Sequence, residues 1–123
     1  MHDGPERDAS TLQVRSKVWI ERDGAVALSE WRVALLEAID AKGSLSRAAE
    51  ALDVPYRTAW ERVKETEAEL GVRLLESESG GADGGGSRLT PEARDLCRRF
   101  RRVSGGIHEV VSRRFSAEFG GAQ

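Results

Sequence analysis

Two breaks in the chain set the strongest limit on its fold. Gly43 and Pro55 frame the short run "SLSRAAEALDV". A glycine suits the left-handed residue that closes one helix, and a proline suits the opening turn of the next. Between them there is room for a single short helix. Ser44 or Ser46 caps it, and Ala48, Ala49 and Leu52 form its inner face. The small alanines let another helix come close. Upstream, "EWRVALLEAIDAK" predicts a helix capped by Ser29, with Trp31, Leu35, Ala38 and Ile39 on one face. Downstream, "PYRTAWERVKETEAELG" predicts a third helix, opened by Pro55 and ended at Gly71. Its stripe is Ala59, Val63, Thr66 and Leu70.

Hairpins flank this core. "KVWIERDGAVALS" sets two β-prone runs around Asp23-Gly24, a pair well suited to a two-residue turn. "VRLLE" and "SRLT" predict a second pair of strands, separated by the glycine-rich "SESGGADGGG". A phosphate-binding loop of the G-x-x-x-x-G-K-[ST] kind needs a lysine, and this loop has none. An interdomain linker needs a second domain, and only one helix remains. The glycines over 79–86 are therefore expected to form a hairpin tip, whose bare backbone can approach phosphates closely.

Thr90-Pro91 opens a final helix over 91–116. Its apolar positions Ala93, Leu96, Phe100, Val103, Ile107 and Val110 alternate steps of three and four, the seam of a coiled-coil-like contact. Gly105-Gly106 is expected to kink or fray it. Residues 1–13 and 117–123 are expected to be loose tails. Hairpin, helix, short helix, helix, hairpin and long helix is the order of a winged helix-turn-helix. The expected class is mainly α with short β hairpins. Residues 14–90 are the winged unit, and the C-terminal helix serves dimerisation.

The 123 residues suffice for one modest core. The polar, acidic N-terminus is no signal peptide, and no apolar run reaches the roughly 18 residues of a membrane span. With a single cysteine, Cys97, no internal disulfide forms, and the expected compartment is the cytoplasm. Net charge is −2 but uneven: residues 1–87 carry 11 Lys/Arg against 17 Asp/Glu, and residues 88–123 carry 8 against 4. An acidic total is compatible with DNA binding where the basic groups face the phosphates. Enzyme chemistry is not expected, since no nucleophile–base set stands out. Cys97, His2 and His108 lack metal-ligand spacing, so neither a metal nor a cofactor is expected.

The run "GSLSRAAEALDVPYRTAWERVKETEAELGVRLLE" followed by "GGADGGGSRLTPEARDL" resembles the N-terminal DNA-binding domain of the molybdate-responsive ModE-type regulators. "KVWIERDG" is similar to that family's opening hairpin and "YRTAW" to its recognition-helix motif. The resemblance covers about residues 14–115. More distantly, "GSLSRAAEAL", the spacing to "ELGVRLLE", and "LTPEA" are similar to the LysR-type regulators. Pro55 departs from both families, which commonly have serine there. The resemblance implies binding to double-stranded DNA and a last helix that serves dimerisation; a homodimer built on the three-four seam calls for an inverted-repeat site. The family's C-terminal molybdate-binding domains have no counterpart in these residues, so molybdate sensing does not carry over.

The DNA-facing candidates lie on or beside the outer face of the third helix: Tyr56, Arg57, Thr58, Trp60 and Lys64. Arg57 can pair with guanine O6 and N7, worth ~1–3 kcal/mol of discrimination, or stand as a solvated arginine. Tyr56 and Trp60 touch a thymine methyl or the backbone, and Trp60 alternatively wedges against the wing as core. Lys64 is a phosphate contact. Ser44, Ser46 and Arg47 hold a phosphate at the second helix, although capping alone explains both serines. Arg88 on the wing reaches phosphate or the minor groove. The expected dimer seam is Leu96, Phe100, Val103, Ile107 and Val110. Arginines 98, 99, 101 and 102 flank it, either solvated or paired with acidic residues of a second subunit. A competing reading is a winged helix that binds a partner protein instead of DNA, motivated by Glu61, Glu65, Glu67 and Glu69 on the third helix.

Overall fold

A computed structural model of the chain describes residues 11–78 and 86–120. The elements run β1 (Trp19–Arg22), β2 (Ala25–Ser29), α1 (Glu30–Lys42), α2 (Leu45–Ala51), α3 (Tyr56–Leu70), β3 (Leu75–Glu78), β4 (Gly86–Leu89) and α4 (Pro91–Phe119). β1 pairs antiparallel with β2, and β3 with β4, as two separate two-stranded sheets. Most of the expected tail residues, and the glycine-rich tip over 79–85, lie outside the described residues.

Local chemistry accounts for the boundaries. Asp23 and Gly24 both take positive φ, as the tight turn between twisted strands requires. Ser29, Ser44 and Thr90 each accept a hydrogen bond from a backbone N–H in the first turn of α1, α2 and α4. Gly43 and Gly71 close α1 and α3 in the left-handed conformation. Pro55 sits one position earlier than expected. It is the N-cap of α3, extended and without a side-chain cap bond, so the helix proper begins at Tyr56.

One core joins all three inner helices to both hairpins and to α4. Val33, Leu35, Leu36 and Ile39 of α1 meet Ala48 and Ala49 of α2, Ala59 and Val63 of α3, and Ala93, Cys97 and Phe100 of α4. Two expectations need correcting here. Trp31 is 37% exposed and lies outside the core, because Val33 and Leu36, not Trp31, share the inward face with Leu35 and Ile39. The first wing strand also begins later than "VRLLE" suggested. Leu74 is fully buried just before β3, and its carbonyl accepts from Thr90 N at 2.9 Å, which fixes where pairing starts.

α4 corrects three further expectations. It runs unbroken through Gly105 and Gly106 to Phe119, three residues past the expected end. Phe100 is also no free seam residue: it is 1% exposed in this chain's own core, with Leu96 packed against that core. Val103, Ile107 and Val110 stay exposed farther along.

Candidate nucleic-acid interface

α3 owes its position to a partly buried strut and a braced N-terminus. Arg32, on α1, donates from Nη1 to the Val26 carbonyl at 3.0 Å and to Thr66 Oγ1 at 3.1 Å. Its Nη2 reaches Glu65 at 3.2 Å. Thr66, buried on α3, passes its own hydroxyl proton to the Arg62 carbonyl at 2.7 Å. One guanidinium therefore ties β2, α1 and α3 together. The turn from α2 into α3 is held by Val54 N donating to the Ala49 carbonyl at 3.0 Å, with Asp53 in the left-handed region.

The wing is hung from α1. Ser87 N donates to the Gly43 carbonyl at 2.8 Å, and Leu89 N to Asp40 Oδ1 at 3.0 Å. Asp40 also takes two bonds from Arg94 at 3.0 and 3.3 Å. The Arg94 guanidinium holds the Asp40 carboxyl below the usual carboxylate range, more than its partial burial raises it. On the other side, Thr90 Oγ1 donates to the Arg73 carbonyl at 2.9 Å and Glu67 accepts from Leu74 N at 2.9 Å.

These anchors leave a cleft between α3 and the wing. Tyr56, Trp60, Lys64, Arg73, Ser77 and Ser87 line it. Trp60 is neither core nor free: it is 43% exposed, with one side turned into the cleft and Lys64 Nζ 5.9 Å from its ring centre. Tyr56 and Arg57 are exposed and share a shallow depression with Trp60. The Arg57 side chain is 80% exposed, with its nearest ion-pair partner, Glu61, at 3.9 Å. Thr58 is half-buried between this face and the core. Lys64 pairs with Glu67 at 3.4 Å. Ser46 and Arg47 are exposed at the start of α2, and Ser44 caps that helix from 3.0 Å. Arg88 is exposed on β4.

The arginines of α4 mostly find partners within the chain. Arg98 and Arg99 pair with Asp95 on the same helix, and Arg101 makes a two-pronged bond to Glu37 of α1 at 2.8 and 3.2 Å.

One polar constellation had no sequence signal. His108 of α4 bonds Glu30 of α1 at 2.7 Å through Nε2, and its Nδ1 meets the hydroxyl of Ser16. The sequence offered no nucleophile–base set, yet a hydroxyl, an imidazole and a carboxylate fall in line here. None of the three lines the α3 cleft or the groove between α1 and α4. The His108 bond outweighs desolvation in holding the Glu30 carboxyl low, and Val18 N adds a weak bond at 3.4 Å. The arrangement clasps the segment before β1 onto the two helices. Only a partner 78 residues away in sequence reveals it.

A short helix bracing a longer exposed one, with a two-stranded wing beside it, defines a winged helix-turn-helix. Comparison with known proteins agrees. The model of the bacterial regulatory helix-turn-helix proteins of the lysR family matches residues 32–94. The chain belongs to that family. Among curated proteins, the molybdenum-pterin-binding protein MopB of Rhodobacter capsulatus is 36% identical over 95 residues, covering 77% of this chain and 35% of that protein. The molybdenum transport protein ModE of Azotobacter vinelandii is 33% identical over 86 residues, covering 70% and 32%. The chain thus spans about a third of the length of these relatives.

Among solved structures, the CbnR DBD in its DNA complex superposes with a TM-score of 0.57 at 24% identity, over 72% of this chain and 95% of that one. The BenM DBD bound to catB site 1 DNA gives 0.55 at 21%, over 74% and 96%. These two likenesses are of fold. Among the described residues, no helix is long and apolar enough to cross a membrane.

Proposed function

We propose that this chain is the DNA-binding part of a cytoplasmic transcription regulator, reading an inverted repeat as a homodimer. The carrying observation is the cleft in which Tyr56, Trp60 and Lys64 of α3 face the wing strands, with Arg57 exposed beside Tyr56 and Trp60. In this reading Arg57 reads a base edge, and Tyr56, Thr58 and Trp60 contact the groove wall. Lys64, Arg88, Arg47, Ser44 and Ser46 meet phosphates. The Ser44 lone pair is engaged in capping, but its hydroxyl proton stays available to a phosphate oxygen.

Residues 14–90 act as the reading unit, and α4 joins two copies. Val103, Ile107 and Val110 are the apolar stripe that a second copy would cover. A two-fold axis there would set two copies of α3 about 34 Å apart, one turn of DNA.

The test is selection of duplex fragments on the purified chain, with affinities read at two salt concentrations. An enriched inverted repeat, with affinity falling steeply in salt, is the expected result. A second reading has its own observation: α3 carries Glu61, Glu65, Glu67 and Glu69 against Arg57, Arg62 and Lys64. Weak, salt-independent binding without enrichment would favour a protein partner for this face.

A further inference from the structure

The acidic residues of α3 do not share one role. Every cation on this helix has a carboxylate within reach: Arg57 with Glu61, Arg62 with Glu65, and Lys64 with Glu67. Glu65 is engaged by Arg32 in the strut that positions the helix. Glu67 holds the backbone of Leu74 ahead of the wing. Glu61 has neither duty. It is half-exposed beside Trp60, and its one close polar neighbour is the Arg57 guanidinium, 3.9 Å away and one turn back. On a surface that meets phosphates, a carboxylate with no structural duty opposes binding unless a base edge rewards it.

We propose that Arg57 and Glu61 read DNA as one unit. Arg57 donates to O6 and N7 of a guanine, and Glu61 accepts from the N4 amino group of a neighbouring cytosine in the major groove. Glu61 also repels the sugar-phosphate backbone, so docking on phosphates alone is disfavoured where the base is wrong. The proposal rests on α3 being the reading helix, and it makes Glu61 a specificity residue of that same site.

The experiment uses the full chain and the substitution Glu61→Gln, which keeps size and helix preference while removing the charge. Affinities are measured on the selected duplex and on a random-sequence duplex, at two salt concentrations, in the wild-type and Arg57→Ala backgrounds. Circular dichroism checks that each variant folds. Glu61→Gln is expected to bind random duplex several-fold more tightly. The selected-to-random ratio should fall between roughly 5-fold and 150-fold, the worth of one base contact. A fresh selection should lose the cytosine at one position of each half-site. In the Arg57→Ala background the same change should alter the ratio less than about twofold, because the unit is already broken. Equal tightening on both duplexes with an unchanged selected sequence would overturn the proposal and leave Glu61 as bulk charge. Wild-type chain that binds neither duplex overturns the DNA reading of α3 itself, and this inference falls with it.

Discussion

The two halves of α4 share one sequence pattern and meet opposite fates. Ala93, Cys97 and Phe100 are buried against α1 and the wing, and Ser104 is the last buried residue of the helix. Past Phe100 the three-four spacing continues through Val103, Ile107 and Val110, all exposed. Spacing therefore specifies a face and says nothing of what covers it. The covered half is tied down by polar anchors as well, Arg94 to Asp40 and Arg101 to Glu37. The outer half has the His108 clasp and then runs free of the core.

The sharpest way to break this comparison is to truncate one apolar side chain in each half. Phe100→Ala should cost about 3–5 kcal/mol of protomer stability, the usual range for a buried phenylalanine. It would be read by denaturant unfolding. Ile107→Ala should leave the unfolding of a dilute protomer within about 0.5 kcal/mol of wild type. On the proposed dimer, its effect would be read in sedimentation as weakened self-association. Equal losses of stability in both variants would erase the distinction drawn here.

An intermediate effect concerns the anchor of the covered half. The Asp40 carboxyl is held below its ordinary range by Arg94, so the folded state binds that proton less readily than the unfolded chain. Its contribution is complete above the ordinary aspartate range, about pH 4. It is lost as the pH falls through the lowered value. Asp40→Asn should lower stability at neutral pH and flatten the decline as the pH falls below the ordinary aspartate range. An unchanged acid limb of the unfolding curve would show that the pair is irrelevant.

The smallest effect lies where the halves meet. Gly105 and Gly106 sit inside a continuous helix, and an added Cβ at either meets nothing within 4 Å. Gly105→Ala should therefore stabilise the chain by about 0.5–1 kcal/mol, seen as a higher Tm. A loss instead would mean that another surface comes close at that point.

Much of the fold was legible because its signals are local. Ser29, Ser44 and Thr90 cap helices, Gly43 and Gly71 end them, and Asp23-Gly24 turns a hairpin, all within a few residues of the effect. The exposed face of α3 followed from the stripe opposite it. What escaped was long-range. Arg32 meets Thr66, Asp40 meets Arg94 and His108 meets Glu30 across 34, 54 and 78 residues, and no periodicity encodes such pairs. The start of β3 at Leu75 is set the same way, since Leu74 is fixed by Thr90 in another part of the chain. Trp31 was misplaced because a four-residue stripe on α1 admits more than one inward face.

Cys97 gives the molecule a built-in clock. It is the chain's one cysteine, and it lies at the centre of the covered half of α4. Burial pushes its thiol up to about 11. At pH 8 such a group is ionised to roughly one part in a thousand, and the thiolate is the species that reacts. A thiol reagent in excess would then wait on the opening of α4 from α1, and the labelling rate would time that event in the wild-type chain without an engineered probe.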